Sequence, residues 1–155
     1  MNLDLVRTQY KTVLDSVPDR GVVHEYPRLA TDWSKFLEFF KDPDTGKILG
    51  WEVSVESTPT VVKYISGVSP NRIADMKWIT IIRGYCGLSD ANSTDRTFSN
   101  LVRSVLIKFL PEDTLGGQVD RVEPMVAGEI TERMFGGVLA HFVELRQPIW
   151  ERVTY

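Results

Sequence analysis

This chain is short of the residues that most site chemistry needs. Of its 155 residues one is a cysteine, Cys86, and two are histidines, His24 and His141. A lone cysteine closes no intramolecular disulfide, which suits a reducing compartment and leaves Cys86 to read as a small buried thiol. Two histidines leave few agents for acid–base work near neutral pH, and neither stands at a recognisable spacing from Cys86. No H-E-x-x-H, G-x-S-x-G or C-x-x-C occurs. The stretch Gly84-Tyr85-Cys86-Gly87 lacks both the G-x-G-x-x-G spacing and the Gly-Lys-Ser/Thr ending of phosphate loops, so a bulge or chain reversal is its expected role. No cofactor and no metal are expected.

Charge of one sign is also lacking. Lys plus Arg number 18 and Asp plus Glu 21, for a net charge of −3, and the basic residues are spread from Arg7 to Arg152. That argues against a nucleic-acid binder whose whole body is basic. No segment approaches the ~20 apolar residues of a membrane span. The first residues carry Asp4 and no apolar run, so a signal peptide is not expected and a cytoplasmic location is. What is present is ordinary globular material, 43% hydrophobic and 25% charged. A chain of this length buries roughly 70% of its extended surface on folding, so residues 1–155 are expected to form one domain without staples.

Periodicity supplies the architecture. Leu3, Val6, Tyr10, Val13, Leu14 and Val17 make an apolar helical stripe, with Asn2 as N-cap and Pro18 as stop. Val22 to Tyr26 reads as a short strand. Thr31-Asp32 caps a helix over 33–41, with Trp33, Phe36, Leu37 and Phe40 on one face. Asp42 to Gly46 is a tight turn; its two aspartates open like a calcium loop, but the glycine comes one position early and Val53 stands where the bidentate glutamate belongs. Trp51, Val53 and Val55 alternate with Glu52, Ser54 and Glu56 as a half-buried antiparallel strand. Thr60 to Ile65 and Lys77 to Tyr85 are two more, separated by a loop over Gly67 to Arg72.

Ser93 or Thr94 then caps a helix in which Phe98, Leu101, Val102, Val105, Leu106 and Phe109 hold the i, i+3, i+4, i+7 pattern, and Pro111 ends it. Glu112 to Gln118 is a polar connector. A strand over Val119 to Val126 is interrupted by Pro124, and a short one covers Ile130 to Met134. The last runs from Val138 to Glu144, with Leu139, His141, Val143 and Leu145 on one face, and Pro148 turns the tail from Ile149 to Tyr155 away. The sum is an α+β fold, an antiparallel sheet of four to six strands packed by an N-terminal helix and a central amphipathic helix. Such a pattern leaves function to surfaces, or to a small α+β enzyme using His141 with Glu144, or to a monomeric ligand-binding module.

Four stretches, taken in this order of elements, carry a resemblance. They are Val23-His24-Glu25-Tyr26-Pro27 after the first helix, Ile48-Leu49-Gly50-Trp51-Glu52-Val53 entering a strand, Ile81-Ile82-Arg83-Gly84-Tyr85 before a loop and helix, and Leu139-Ala140-His141-Phe142-Val143-Glu144-Leu145 near the end. The chain resembles the tail terminator (tail-completion, minor tail) proteins of tailed bacteriophages, in order and flavour over most of its length rather than by a signature. Head-to-tail connector and neck proteins of similar size share much of the pattern.

The resemblance implies a structural virion protein without catalysis, assembled in the host cytoplasm as a homohexameric ring. Such a ring caps the tail tube protein and meets a neck or connector protein, with a sheath protein as a further partner where the tail is contractile. DNA passes through it without specific binding. Candidate contacts between subunits or with partners are Arg72, Arg83, Leu88, Ser89, Asp90 and Asp95, with Trp150 and Tyr155 in the tail.

Overall fold

The computed structural model describes residues 1–30, 32–56, 58–65, 73–135 and 137–154. Helix α1 (Leu3–Asp15) begins where the sequence says, because the Asn2 side-chain oxygen accepts the Asp4 N–H at 3.0 Å. It ends at Asp15, two residues early. Helix α2 (Trp33–Glu38) is capped by Asp32, whose carboxylate accepts the Lys35 N–H, and is shorter than the expected 33–41. Thr31 and the Trp33 side chain lie outside the described residues. The aspartate turn forms as expected, with Asp42 Oδ1 accepting the Asp44 N–H at 2.9 Å.

The sheet is built on two long strands, β4 (Ile73–Gly87) and β8 (Val138–Thr154), paired antiparallel over fifteen residues from Ile73↔Thr154 to Gly87↔Ala140. On the free side of β4 lie β2 (Leu49–Val55) and β3 (Thr60–Ile65), end to end. On the free side of β8 lie β5 (Arg121–Val122), β6 (Val126–Ala127) and β7 (Thr131–Phe135), also in line. With β1 (Val22–His24) this makes eight strands among the described residues rather than four to six. The sheet is also not wholly antiparallel, since β1 pairs parallel with β2. Parallel neighbours need a crossover, and the segment holding α2 is that crossover.

Side chains alternate across the sheet, and each face has its own core. One face carries Trp51, Val53, Ile82, Val143, Leu145 and Ile149 against α1 and helix α3 (Thr94–Phe109). The other carries Tyr85, Ala140 and Phe142 against Phe36, Leu37 and Phe40 of the α2 segment, with Phe135. The α+β class and the two packing helices are as expected; a layer on the second face is what periodicity did not disclose.

Four local readings change. Gly84 makes no bulge or chain reversal. It lies inside unbroken β4 opposite Trp51, and a Cβ there would sit 2.5 Å from the indole, so the glycine makes room for a wholly buried tryptophan. Pro148 does not release the tail. Its carbonyl accepts the Glu123 N–H at 2.9 Å, and in an antiparallel strand a residue's N and O point to the same side. The missing N–H therefore faces the gap between β5 and β6, costing no bond to β4, and β8 continues to Thr154.

Ser93 precedes α3 with left-handed backbone (φ 50°) and makes no side-chain cap. Thr94 instead accepts the Ser89 N–H, at 2.9 Å. Finally, the connector after α3 is not merely polar, since it sends Leu115, at φ 48°, and Val119 into the core. A non-glycine residue there costs about 1–3 kcal/mol, which burial of a leucine side chain, worth about 1.5–3 kcal/mol, offsets.

Because the Gly84 contact is with a ring that has nowhere to go, Gly84→Ala is expected to destabilise the fold by about 1–3 kcal/mol. A urea denaturation midpoint checks this; an unchanged midpoint would mean that Trp51 has room to move.

Candidate interaction surfaces

Two concave surfaces stand out, one for each face of the sheet. The first is a cleft of about 490 Å³ between the chain around Pro27 to Asp32 and the β2–β4–β8–β7 end of the sheet. Its floor is Phe36, Tyr85, Phe135 and Phe142, and three guanidinium groups, from Arg28, Arg83 and Arg133, line it. At its base is Glu52, 3% exposed, where alternation had placed a solvent-facing residue. The carboxylate is fully partnered. Tyr85 Oη donates to Oε1 at 3.0 Å, the Arg28 backbone N–H donates to Oε2 at 2.8 Å, and Arg83 Nη1 lies 3.6 Å away. Burial, then the adjacent Glu52 charge, pushes the Tyr85 hydroxyl well above its ordinary pKa, so it stays a donor.

Arg83 also donates from Nε to Glu144 at 3.2 Å, and Arg146 holds the other Glu144 oxygen at 2.8 Å. Burial works against the Glu144 charge, but the hydrogen bond and charge of Arg146, with those of Arg83, outweigh it and hold the carboxyl below its ordinary range. The other two arginines are placed differently. Arg133 lies 3.9 Å from the Phe142 ring centre and Arg28 4.3 Å from that of Phe39. Neither is in an ion pair among the described residues. A guanidinium stacked on a ring keeps its in-plane N–H donors available; Arg28 gives one of them, Nη1, to Tyr26 Oη at 2.7 Å, so this cleft offers two cations without a carboxylate partner among the described residues over an aromatic floor.

The second surface is a groove of about 720 Å³ between the open end of β2, β4 and β8 and the N-terminal half of α3. Ile48, Leu49, Leu88, Leu101, Val138 and Leu139 supply its apolar lining, rimmed by hydroxyls and amides that include Ser89 and Asn92. Cys86 opens on it as a nearly buried thiol, and burial pushes its pKa up to about 11, the Lys47 charge acting weakly the other way. Such a thiol is protonated near neutral pH and a poor nucleophile.

The expected contact residues divide accordingly. Arg83 belongs to the cleft, and Leu88 and Ser89 to the groove. Asp90 opens a 3₁₀ turn (Asp90–Asn92) whose first side chain lies outside the described set, and Asp95 is exposed in the first turn of α3, a favourable place for a negative charge. Trp150 is a correction. It is not in a tail but in β8, 8% exposed, donating to Glu123 Oε1 at 2.7 Å with Arg121 over its ring. Arg72, with the loop around it, and Tyr155 lie outside the described residues.

The two histidines have structural partners. His24 Nε2 meets the Phe39 carbonyl at 2.8 Å, and buried His141 meets Thr94 Oγ1 at 3.1 Å, tying the start of α3 to β8. His141 and Glu144 point to opposite faces of the sheet, because three residues separate them on one strand; they do not form a dyad. Sequence reasoning missed Glu52, Arg28 and Arg133. No local signal marks them, since each is defined by a neighbour distant in the chain.

Among the described residues no helix is long and apolar enough to cross a membrane, and no group of three or more His, Cys, Asp or Glu could hold a metal ion. No family model matches the chain, and no curated protein matches its sequence. One solved structure, whose name states no function, aligns at 12% identity over 100% of this chain and 98% of its own, with a TM-score of 0.40.

The Arg83–Glu144–Arg146 contacts set a pH dependence. A carboxyl whose folded pKa is depressed contributes stability above its unfolded pKa and loses it as pH falls through the folded value. Glu144→Gln is therefore expected to lower stability by about 0.5–1 kcal/mol at pH 7. The difference from the parent should shrink as pH drops below the ordinary glutamate range. Denaturant midpoints at pH 7 and pH 3 measure it; a difference that is constant with pH would remove the electrostatic account.

Proposed function

We propose that this protein is a structural assembly protein of the tail terminator kind, working as a homohexameric ring on a bacteriophage tail tube. The observation that carries the reading is the element order on which the resemblance rests. A first helix, a short helix, three antiparallel strands, an amphipathic helix and a closing set of strands follow one another in this chain. A ring needs heterologous, head-to-tail contacts that close on themselves. A capping ring also needs a surface for its tube or neck partner, and Met134 at 63% and Leu139 at 38% exposure, beside Leu88 and Val138 at the mouth of the apolar groove, supply one. Exposed apolar residues gathered at one end of a molecule favour contact with another chain.

On this reading the groove end meets the tail tube or the head-side neck protein, and a sheath protein is a further partner in a contractile tail. The ring is part of the virion and is assembled in the host cytoplasm. DNA crosses it without base contacts. A neck or connector role uses the same surfaces and differs in which partner is bound.

Light scattering for mass, with negative-stain imaging in the presence and absence of tail tubes, tests the proposal. Six-fold rings or ring-capped tubes are expected. Leu139→Asp, at a half-exposed position, should abolish tube capping while leaving the far-UV spectrum unchanged. A strict monomer that binds neither tubes nor neck proteins overturns the reading.

A further inference from the structure

The arginine-lined cleft holds two cations, Arg28 and Arg133, that no carboxylate among the described residues neutralises. Glu52 is already matched by Arg83, Tyr85 and the Arg28 backbone, and Asp32 is paired with Lys35 at 3.5 Å. Arg28 gives Nη1 to Tyr26 Oη at 2.7 Å, but its other donors and those of Arg133 meet no carboxylate among the described residues, and the two guanidinium groups, stacked on Phe39 and Phe142, line a space of about 490 Å³ over aromatic side chains. The complement of such a space is a carboxylate beside an aliphatic side chain, because planar guanidinium forks match carboxylates and rings match methyl groups.

The chain carries that complement itself. At the end of α3, Leu110 is 75% exposed and is followed across Pro111 by Glu112 and Asp113, neither in an ion pair among the described residues. The corner cannot reach the cleft of its own molecule. The Asp113 carbonyl accepts from Val122 of β5, and β5 pairs with β8 at Trp150, eight residues or roughly 26 Å from Phe142 in the cleft floor. α3 also lies on the opposite face of the sheet from the cleft. Two complementary patches at opposite ends and faces of one molecule make a heterologous contact, which propagates head to tail.

We infer that the cleft of Arg28 and Arg133 is a docking site for the α3 corner of a second copy of this chain, with Leu110 entering the aromatic floor and Glu112 and Asp113 taken by the two guanidinium groups. The inference rests on the ring proposed above and names the surfaces through which it closes.

Charge exchange tests it. Arg28→Glu with Arg133→Glu reverses the cleft, and Glu112→Arg with Asp113→Arg reverses the corner. Each double variant alone sets like charges against each other and should remain monomeric under conditions in which the parent assembles. An equimolar mixture pairs reversed cleft with reversed corner and parent cleft with parent corner, and should recover the parent's mass by light scattering. The parent assembly itself should weaken as salt is raised from 0.1 to 0.5 M.

Melting curves show whether each variant is folded, and Arg133→Glu alone, at an exposed position, serves if the double variant is not. Variants that assemble as the parent does, or a mixture that stays monomeric, overturn the inference while the ring stands. A parent that is monomeric with and without tubes removes the ring and the inference together.

Discussion

The pairing of β4 with β8 is the constraint on which the rest of the molecule depends. Fifteen consecutive register pairs hold together two strands that no local device makes neighbours, since β4 ends at Gly87, β8 begins at Val138 and α3 lies between them in the sequence. Each strand has one remaining edge, and each edge is filled piecewise, by β2 and β3 along β4 and by β7, β6 and β5 along β8. Short strands gain stability only by joining such a template, so a one-residue slip of β8 against β4 would turn the whole apolar set of β8 to the wrong face. Buried polar groups help specify it. Tyr10 of α1 donates to Gln147 at 2.8 Å, and Gln147 donates to the Glu123 carbonyl at 3.0 Å, linking a helix, β8 and the gap between β5 and β6.

That gap shows how one residue and its surroundings are chosen together. Proline inside a strand with neighbours on both sides normally removes a ladder bond. Here Pro148 stands where the outer strand is already broken at Pro124, and the carbonyl left there is taken up by Gln147. A glycine in the neighbouring strand has an equally specific reason. Gly84 gives up side-chain packing so that the Trp51 ring can lie across it, and Trp51 in turn donates from Nε1 to the Arg20 carbonyl at 3.0 Å, fastening the turn that follows α1.

These cases mark the boundary of what was legible in the sequence. The Asn2 cap, the α3 stripe from Phe98 to Phe109 and the aspartate turn were readable because each is decided within a few residues. The second helical layer was half legible, as the aromatic face of α2 announced burial without saying against what. Gly84, Pro148 and Glu52 were not legible, since a ring, a gap and a tyrosine hydroxyl from distant segments decide their roles. The same holds for the candidate site. That Leu88 and Ser89 lie in a loop between two strong elements is visible locally, whereas the nearness of Arg28 to Arg133 is made only when β7 comes to lie near the α2 segment.

A surface that acts by assembly has to satisfy a condition that an active site does not. Its two halves must be complementary without meeting in one molecule, otherwise the protein would satisfy itself and remain alone. The sheet provides this separation, because its thickness and the length of β8 stand between the cleft of Arg28 and Arg133 and the corner of Glu112 and Asp113 that follows α3. The buried part of the cleft is neutralised internally by Glu52 and Glu144 around Arg83, so the charge left for a neighbour sits at the rim, where desolvation costs little and attraction acts at a distance. Rim charges of this kind steer and orient, while apolar contact supplies the bulk of the affinity. In the docking we infer, Arg28 and Arg133 orient the partner and Leu110 supplies apolar contact, the division of labour that a reversible, directional contact between identical subunits requires.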